Sequence, residues 1–141
     1  MSTGIVTFKN DWGEDISSIT IRHRRSNDPN KQEQETLNNI RSGETAENVL
    51  KVTYETGSGS PYDYWWVKFI TSSGRLYTMK DNFYCSIGSN DNGNVTLRID
   101  GATQEMYVTF SASSGCEVSI YPSVLIFVDE QKEIHIPERM V

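Results

Sequence analysis

One stretch constrains this chain more than any other: residues 60–70, Ser60-Pro61-Tyr62-Asp63-Tyr64-Trp65-Trp66-Val67-Lys68-Phe69-Ile70. A Gly/Ser run precedes it and a polar turn, Thr71-Ser72-Ser73-Gly74, follows it. Read as a strand, successive side chains alternate between two faces. Tyr64, Trp66 and Ile70 then share one face and Trp65, Val67 and Phe69 the other, with only Lys68 breaking the apolar pattern. A strand apolar on both faces is expected to be central and covered on each side. Tyr64, Trp65 and Trp66 are therefore expected mostly in the core.

The rest of the chain supplies partners for such a strand. Residues 5–10 read as a first strand, closed by the turn-like Asp11-Trp12-Gly13-Glu14-Asp15, with Trp12 expected to cover one end of the core. Residues 17–24 alternate cleanly: Ser17, Ile19, Ile21 and His23 are expected inward, and Ser18, Thr20, Arg22 and Arg24 on a solvated outer face. Residues 25–39 are polar and read as a long loop, with at most a short edge element over 36–40. Residues 47–55 alternate again, placing Leu50, Val52 and Tyr54 inward. Residues 75–79 pair with the aromatic strand across Ser73-Gly74. Residues 82–87 form a strand with Phe83, Cys85 and Ile87 on one face, and the Asn/Gly-rich 88–94 is expected to be a hairpin loop. Inward rows follow at Val95, Leu97 and Ile99, at Met106, Val108 and Phe110, and at Cys116, Val118 and Ile120. Residues 124–128 read as a continuous buried strand and 134–136 as its short partner. About ten strands without a convincing helix predict an all-β fold, a single-domain antiparallel β-sandwich over residues 1–141.

Composition narrows the functional classes. A net charge of −6 argues against nucleic acid as a partner, since phosphate binding needs a basic surface and the one basic cluster is Arg22-His23-Arg24-Arg25. No apolar run approaches the length of a transmembrane segment. The opening Met1-Ser2-Thr3-Gly4-Ile5-Val6 has no secretory signal pattern, so a cytoplasmic or non-classically secreted protein is expected. Cys85 and Cys116 are too few for a disulfide framework. They are expected as buried thiols in a reducing compartment, with a cross-sheet bridge as the alternative in an oxidising one. The sequon at Asn94-Val95-Thr96 is expected to be unused.

Chemistry is sparse. His23 and His135 sit on different predicted strands without a Cys or His nearby, so neither metal nor cofactor is expected, and His23 reads as structural. Asn90-Asp91-Asn92-Gly93 resembles the start of a calcium loop but lacks its closing acid. No nucleophile elbow or phosphate loop occurs, and the acids show no paired spacing. The expectation is a protein without catalysis, with an enzyme as the weaker alternative. A binding surface remains. Tyr62 and Asp63, at the mouth of the aromatic strand, together with Asn90, Asp91 and Asn92, are the candidates for stacking on and hydrogen-bonding to a sugar. Arg22, Arg24 and Arg25 are candidates for an anion or lipid head group.

Asn10-Asp11-Trp12-Gly13, Ile21-Arg22-His23-Arg24, Val52-Thr53-Tyr54-Glu55-Thr56-Gly57, Asp63-Tyr64-Trp65-Trp66-Val67-Lys68-Phe69, Asp81-Asn82-Phe83-Tyr84-Cys85 and Ser113-Ser114-Gly115-Cys116 together carry a resemblance. The chain resembles, over about residues 6–120, a family of small β proteins known from nematode members up-regulated in a long-lived insulin-receptor mutant, with fungal members too. The C-terminal strands, 123–136, lie beyond it. The resemblance implies a compact, non-enzymatic sandwich, and supplies no catalytic residues. In architecture alone such proteins are similar to the aegerolysins, and the start of this chain is similar to those of mushroom cytosolic lectins and immunomodulatory proteins. The expected function is recognition of a glycan or lipid head group through loops at one end of the sandwich, in defence or immunomodulation. The alternative is a membrane-active protein, pore-forming or lipid-binding. Sandwich edges invite pairing, of which a symmetric homodimer is the commonest form.

Overall fold

The computed structural model describes residues 1–129 and 132–137. Eleven strands lie among them: β1 (Ser2–Asp11), β2 (Ile16–Arg25), β3 (Gln32–Ile40), β4 (Thr45–Tyr54), β5 (Asp63–Thr71), β6 (Leu76–Thr78), β7 (Asn94–Asp100), β8 (Glu105–Thr109), β9 (Cys116–Ser119), β10 (Tyr121–Asp129) and β11 (Lys132–Pro137). They form two sheets, ordered β4-β1-β7-β8-β9 and β11-β10-β6-β5-β2-β3. All described pairings are antiparallel except β1 with β7. The chain is an all-β sandwich, as its alternation predicts.

The core is the facing rows of the two sheets. Val6 and Phe8 of β1, Val52 of β4, Val95, Leu97 and Ile99 of β7 and Met106 of β8 are fully buried, as are Ile19 and Ile21 of β2 and Trp65, Val67 and Phe69 of β5. Trp12 closes one end as expected, edge-on to Phe69 and Tyr77 at 5.0 and 4.7 Å. The chain passes so close there that a Cβ on Gly101 would stand 1.8 Å from the Trp12 carbonyl oxygen, so only glycine fits.

Five expectations need correction. Residues 32–40 are not loop: β3 is a nine-residue edge strand paired with β2 along its length. Its polar composition suits an edge, where Thr20 and Thr36 hydroxyls bond across the pair at 3.0 Å. On β2, a bulge between Ile16 and Ser18 shifts the alternation, so Ile16 joins the inward row and Ser17 is exposed. The outer face of β2 is covered at Thr20 and Arg22 rather than solvated. Residues 82–87 keep the expected alternation of buried Phe83, Cys85 and Ile87 but form an isolated bridge, Tyr64 to Tyr84, rather than a strand. The loop 88–94 is consequently no hairpin. It carries the chain from the β5 sheet to β7, which pairs with β1 and β8.

β5 itself is central, between β2 and β6, but only one of its faces is core. Tyr64, Trp66 and Lys68 are half-buried and Ile70 is exposed. The β10–β11 pairing across the expected turn is present, with Leu125 opposite His135. The burial expected for residues 125–128 and the setting of the His135 side chain fall outside the described side chains. Cys85 and Cys116 are bonded to each other, which overturns the buried-thiol expectation. Their Cα atoms are 6.1 Å apart, and the bond ties the 82–87 segment to β9 of the opposite sheet.

Candidate functional site

The polar interior at the mouth of β5 explains which residues are left for a ligand. His23 is completely buried on β2, beside the Trp65 ring at 4.7 Å. Its Nδ1 hydrogen-bonds with Glu33 Oε1 at 2.6 Å and its Nε2 with Asp63 Oδ1 at 2.8 Å. The ring thus bridges the two acids, one at each nitrogen. The acids reach further. Glu33 Oε2 accepts from the Thr53 N–H of β4, and Asp63 Oδ2 from the Ile87 N–H. This cluster joins β2, β3, β4, β5 and the 82–87 segment. Asp63, a sequence candidate for ligand binding, is fully buried with both oxygens engaged inside the fold.

Tyr62, one residue earlier, is 54% exposed. It stacks on Tyr84, also 54% exposed, with ring centroids 4.9 Å apart and planes 22° from parallel. Tyr64 tilts against the other side of the group at 5.8 Å from Tyr84. The three rings form a ledge at the β5 mouth. The outer face of β5 continues from it to Trp66, over which the Arg22 guanidinium lies at 4.7 Å. Tyr84 was not a candidate from sequence. The signal available was its place in the alternation: with Phe83 and Cys85 inward, Tyr84 faces out.

The three candidate arginines do not form one patch. Arg22 pairs with Asp81, and Arg24 lies 3.9 Å from the same carboxylate on the outer face. Arg25 faces the other way, toward the Met1 sulfur and Glu55.

Loop 88–94 holds the remaining candidates. Asn90 and Asn92 are exposed, and Asn92 Oδ1 accepts from the Asn94 N–H at 2.9 Å. Asp91 fastens its own loop to the turn at 111–115: it accepts from the N–H groups of Gly88, Ala112 and Ser113 and from the Ser113 hydroxyl. Burial pushes the Asp91 carboxyl upward, but the bonds from Ser113, Gly88 and Ala112 outweigh it and hold the group at about 2. Because the folded value is depressed below the ordinary 3.8, the stabilisation is present above that value and is lost as pH falls toward 2. Urea midpoints are therefore expected to drop between about pH 4 and pH 2 in the wild type. Asp91→Asn should lower the midpoint at pH 7 and flatten that drop; an unchanged acid limb in the variant would contradict the role.

Surface clefts lie elsewhere among the described residues. One of about 340 Å³ lies beside β9, lined by Lys80, Phe83, Glu117, Val118, Ser119 and Tyr121. A smaller one lies at the β2–β3 end, near Asp15 and Arg41. Neither includes a ring of the ledge. Among the described residues no group of three or more His, Cys, Asp or Glu side chains could hold a metal ion. No helix there is long and apolar enough to cross a membrane, which leaves strand-built spans unaddressed.

The motifs that carried the family resemblance are the long-range ties of this fold. Asn10 is buried and its amide reaches the carbonyls of Glu14, Ile40 and Arg41 while accepting from the Trp12 N–H. His23 meets Asp63, Trp65 donates its indole N–H to the Cys85 carbonyl at 2.8 Å, and Cys85 is bonded to Cys116. Such a framework defines a small, disulfide-tied β-sandwich protein. The model of the family described as Up-Regulated in long-lived daf-2 matches residues 2–123, and the chain belongs to that family. The match says nothing of aegerolysins. No curated protein matches the chain.

Proposed function

We propose that this is a non-enzymatic recognition protein that binds a glycan on the tyrosine ledge. The observation that carries the reading is the stacked, half-exposed pair Tyr62 and Tyr84 on a rigidly held strand mouth. An aromatic face fits the apolar face of a sugar ring. The ledge is rigid because Asp63, immediately after Tyr62, is held by His23 and Ile87. The exposed amides of Asn90 and Asn92 in loop 88–94 are the candidate partners for ring hydroxyls. A role in defence or immune modulation accords with this kind of surface.

Screening a saccharide panel identifies the ligand, and Tyr62→Ala and Tyr84→Ala test the site. Each substitution is expected to weaken binding about tenfold with little change in the urea midpoint. Binding to phospholipid vesicles without binding to any saccharide would replace this reading with the membrane-active one.

A further inference from the structure

We infer that the ledge continues into a carboxylate site at Arg22 and Arg24, and that the ligand is an acidic saccharide whose carboxylate takes the place now held by Asp81. The inference rests on the glycan reading and deepens it by naming the class of sugar. Arg22 and Arg24 stand two residues apart on the outer face of β2, opposite Trp66 and Tyr64 of β5. The Arg22 side chain is only 9% exposed, lies over Trp66, and its buried Nε has no hydrogen-bond partner among the described residues. Such a guanidinium is built into the sheet and aimed at one place, where the Asp81 carboxylate sits.

At contact distance two guanidiniums share one carboxylate, with Asp28 acting on Arg24 from further off. The other hydrogen-bond partners of Arg24 are the neutral amides of Gln32 and Asn27. Burial and the adjacent Arg22 cation both hold Arg24 below its ordinary value, against the pull of Asp81 and Asp28. The occupant, Asp81, is 61% exposed in a turn after β6, and Asn27 and the two arginines hold it there. A hexose ring on the Tyr64–Tyr84 side would direct a carboxylate across the strand pair toward Arg24 and Arg22, because Tyr64 is directly opposite Arg24. Guanidinium and carboxylate suit each other in planarity and charge.

Asp81 then acts as a tethered competitor, and its removal should strengthen binding. Titrations of sialyllactose and lactose into the wild type, Asp81→Asn and Arg24→Gln test this at low salt. The wild type is expected to prefer sialyllactose. Asp81→Asn should raise affinity for sialyllactose by about tenfold, as for a site its own carboxylate fills nine-tenths of the time, and leave lactose unchanged. Arg24→Gln should abolish the preference. Equal binding of both sugars by all three proteins would overturn this inference and leave the ledge reading standing. No binding of either sugar by wild type or Asp81→Asn would overturn this inference, and no hit across the saccharide panel would overturn the glycan reading too. Equal gains for sialyllactose and for inorganic sulfate alone in Asp81→Asn, with no preference for the sugar, would also overturn it.

Discussion

Replacing His23 by alanine is expected to destabilise the protein by about 3–5 kcal/mol, as for a large buried side chain whose loss leaves a cavity and unpaired polar groups. The His23 ring links Glu33 to Asp63 and has no solvent contact. Without it, the Asp63 carboxylate keeps only the Ile87 N–H on Oδ2 and faces an apolar void on Oδ1. The ring also fills the space beside Trp65, so a cavity adds to the loss. Urea denaturation of the wild type, His23→Ala, Asp63→Asn and the double variant gives the coupling directly. A coupling above about 1 kcal/mol is expected for groups in direct contact. A loss below about 1 kcal/mol for His23→Ala would mean the cluster is not a tie at all. Hydrogen exchange should also quicken at β3, since Glu33 anchors that edge strand to β2 and to β4.

Removing the Cys85–Cys116 bond is the other large change. The half-cystines are 31 residues apart, so loop closure in the unfolded chain alone makes the bond worth on the order of 3–4 kcal/mol. Cys85→Ala/Cys116→Ala is expected to lose about that much. Alanine is chosen because Cys85 is buried and a serine hydroxyl there would need a partner. The denaturant slope should rise in the variant, since an uncrosslinked unfolded chain exposes more surface. The native consequence is local. Residues 82–87 are held to β5 by bonds from Trp65 N–H to the Phe83 carbonyl and from Cys85 N–H to the Asp63 carbonyl. Without the disulfide the segment keeps these and the bonds of the Trp65 indole and Asp63 but loses its tie to the opposite sheet, so it is expected to open first, carrying Tyr84 away from Tyr62. Identical midpoints with and without a dithiol reductant would contradict the assignment of this bond as a tie.

Much of the fold was legible because burial on one face writes itself as alternation. Leu50, Val52 and Tyr54, and Val95, Leu97 and Ile99, are inward as the period requires. β3 escaped because an edge strand with a polar exposed face has little alternation to read, and its ladder to β2 is made of backbone groups. The second face of β5 was read as core because Tyr64, Trp66 and Ile70 are apolar; there Tyr64 and Trp66 are half-buried and Ile70 is exposed. The site was less legible still. Asp63 looks like a surface acid beside a flexible loop, and only the partner 40 positions earlier, His23, explains its burial. Asp91 and Ser113 meet across 22 positions, and Cys85 and Cys116 across 31, separations that no local pattern encodes. Tyr62 was legible as an exposed ring. Its stacking partner was not, because Tyr84 belongs to a segment whose pairing reduces to one bridge.

Labour is divided by face: the inward residues of the motifs hold the sandwich together, and the outward rings Tyr62, Tyr64 and Tyr84 are proposed to meet the ligand. Mapping chemical shifts while an acidic saccharide is titrated into the isotopically labelled wild type tests it most directly. The account predicts that the rings of Tyr62, Tyr64 and Tyr84 and the Arg24 side chain move most, while the Trp65 indole N–H and the His23 ring stay in place. Shifts centred on the cleft lined by Lys80 and Glu117, with the tyrosine rings unmoved, would contradict it.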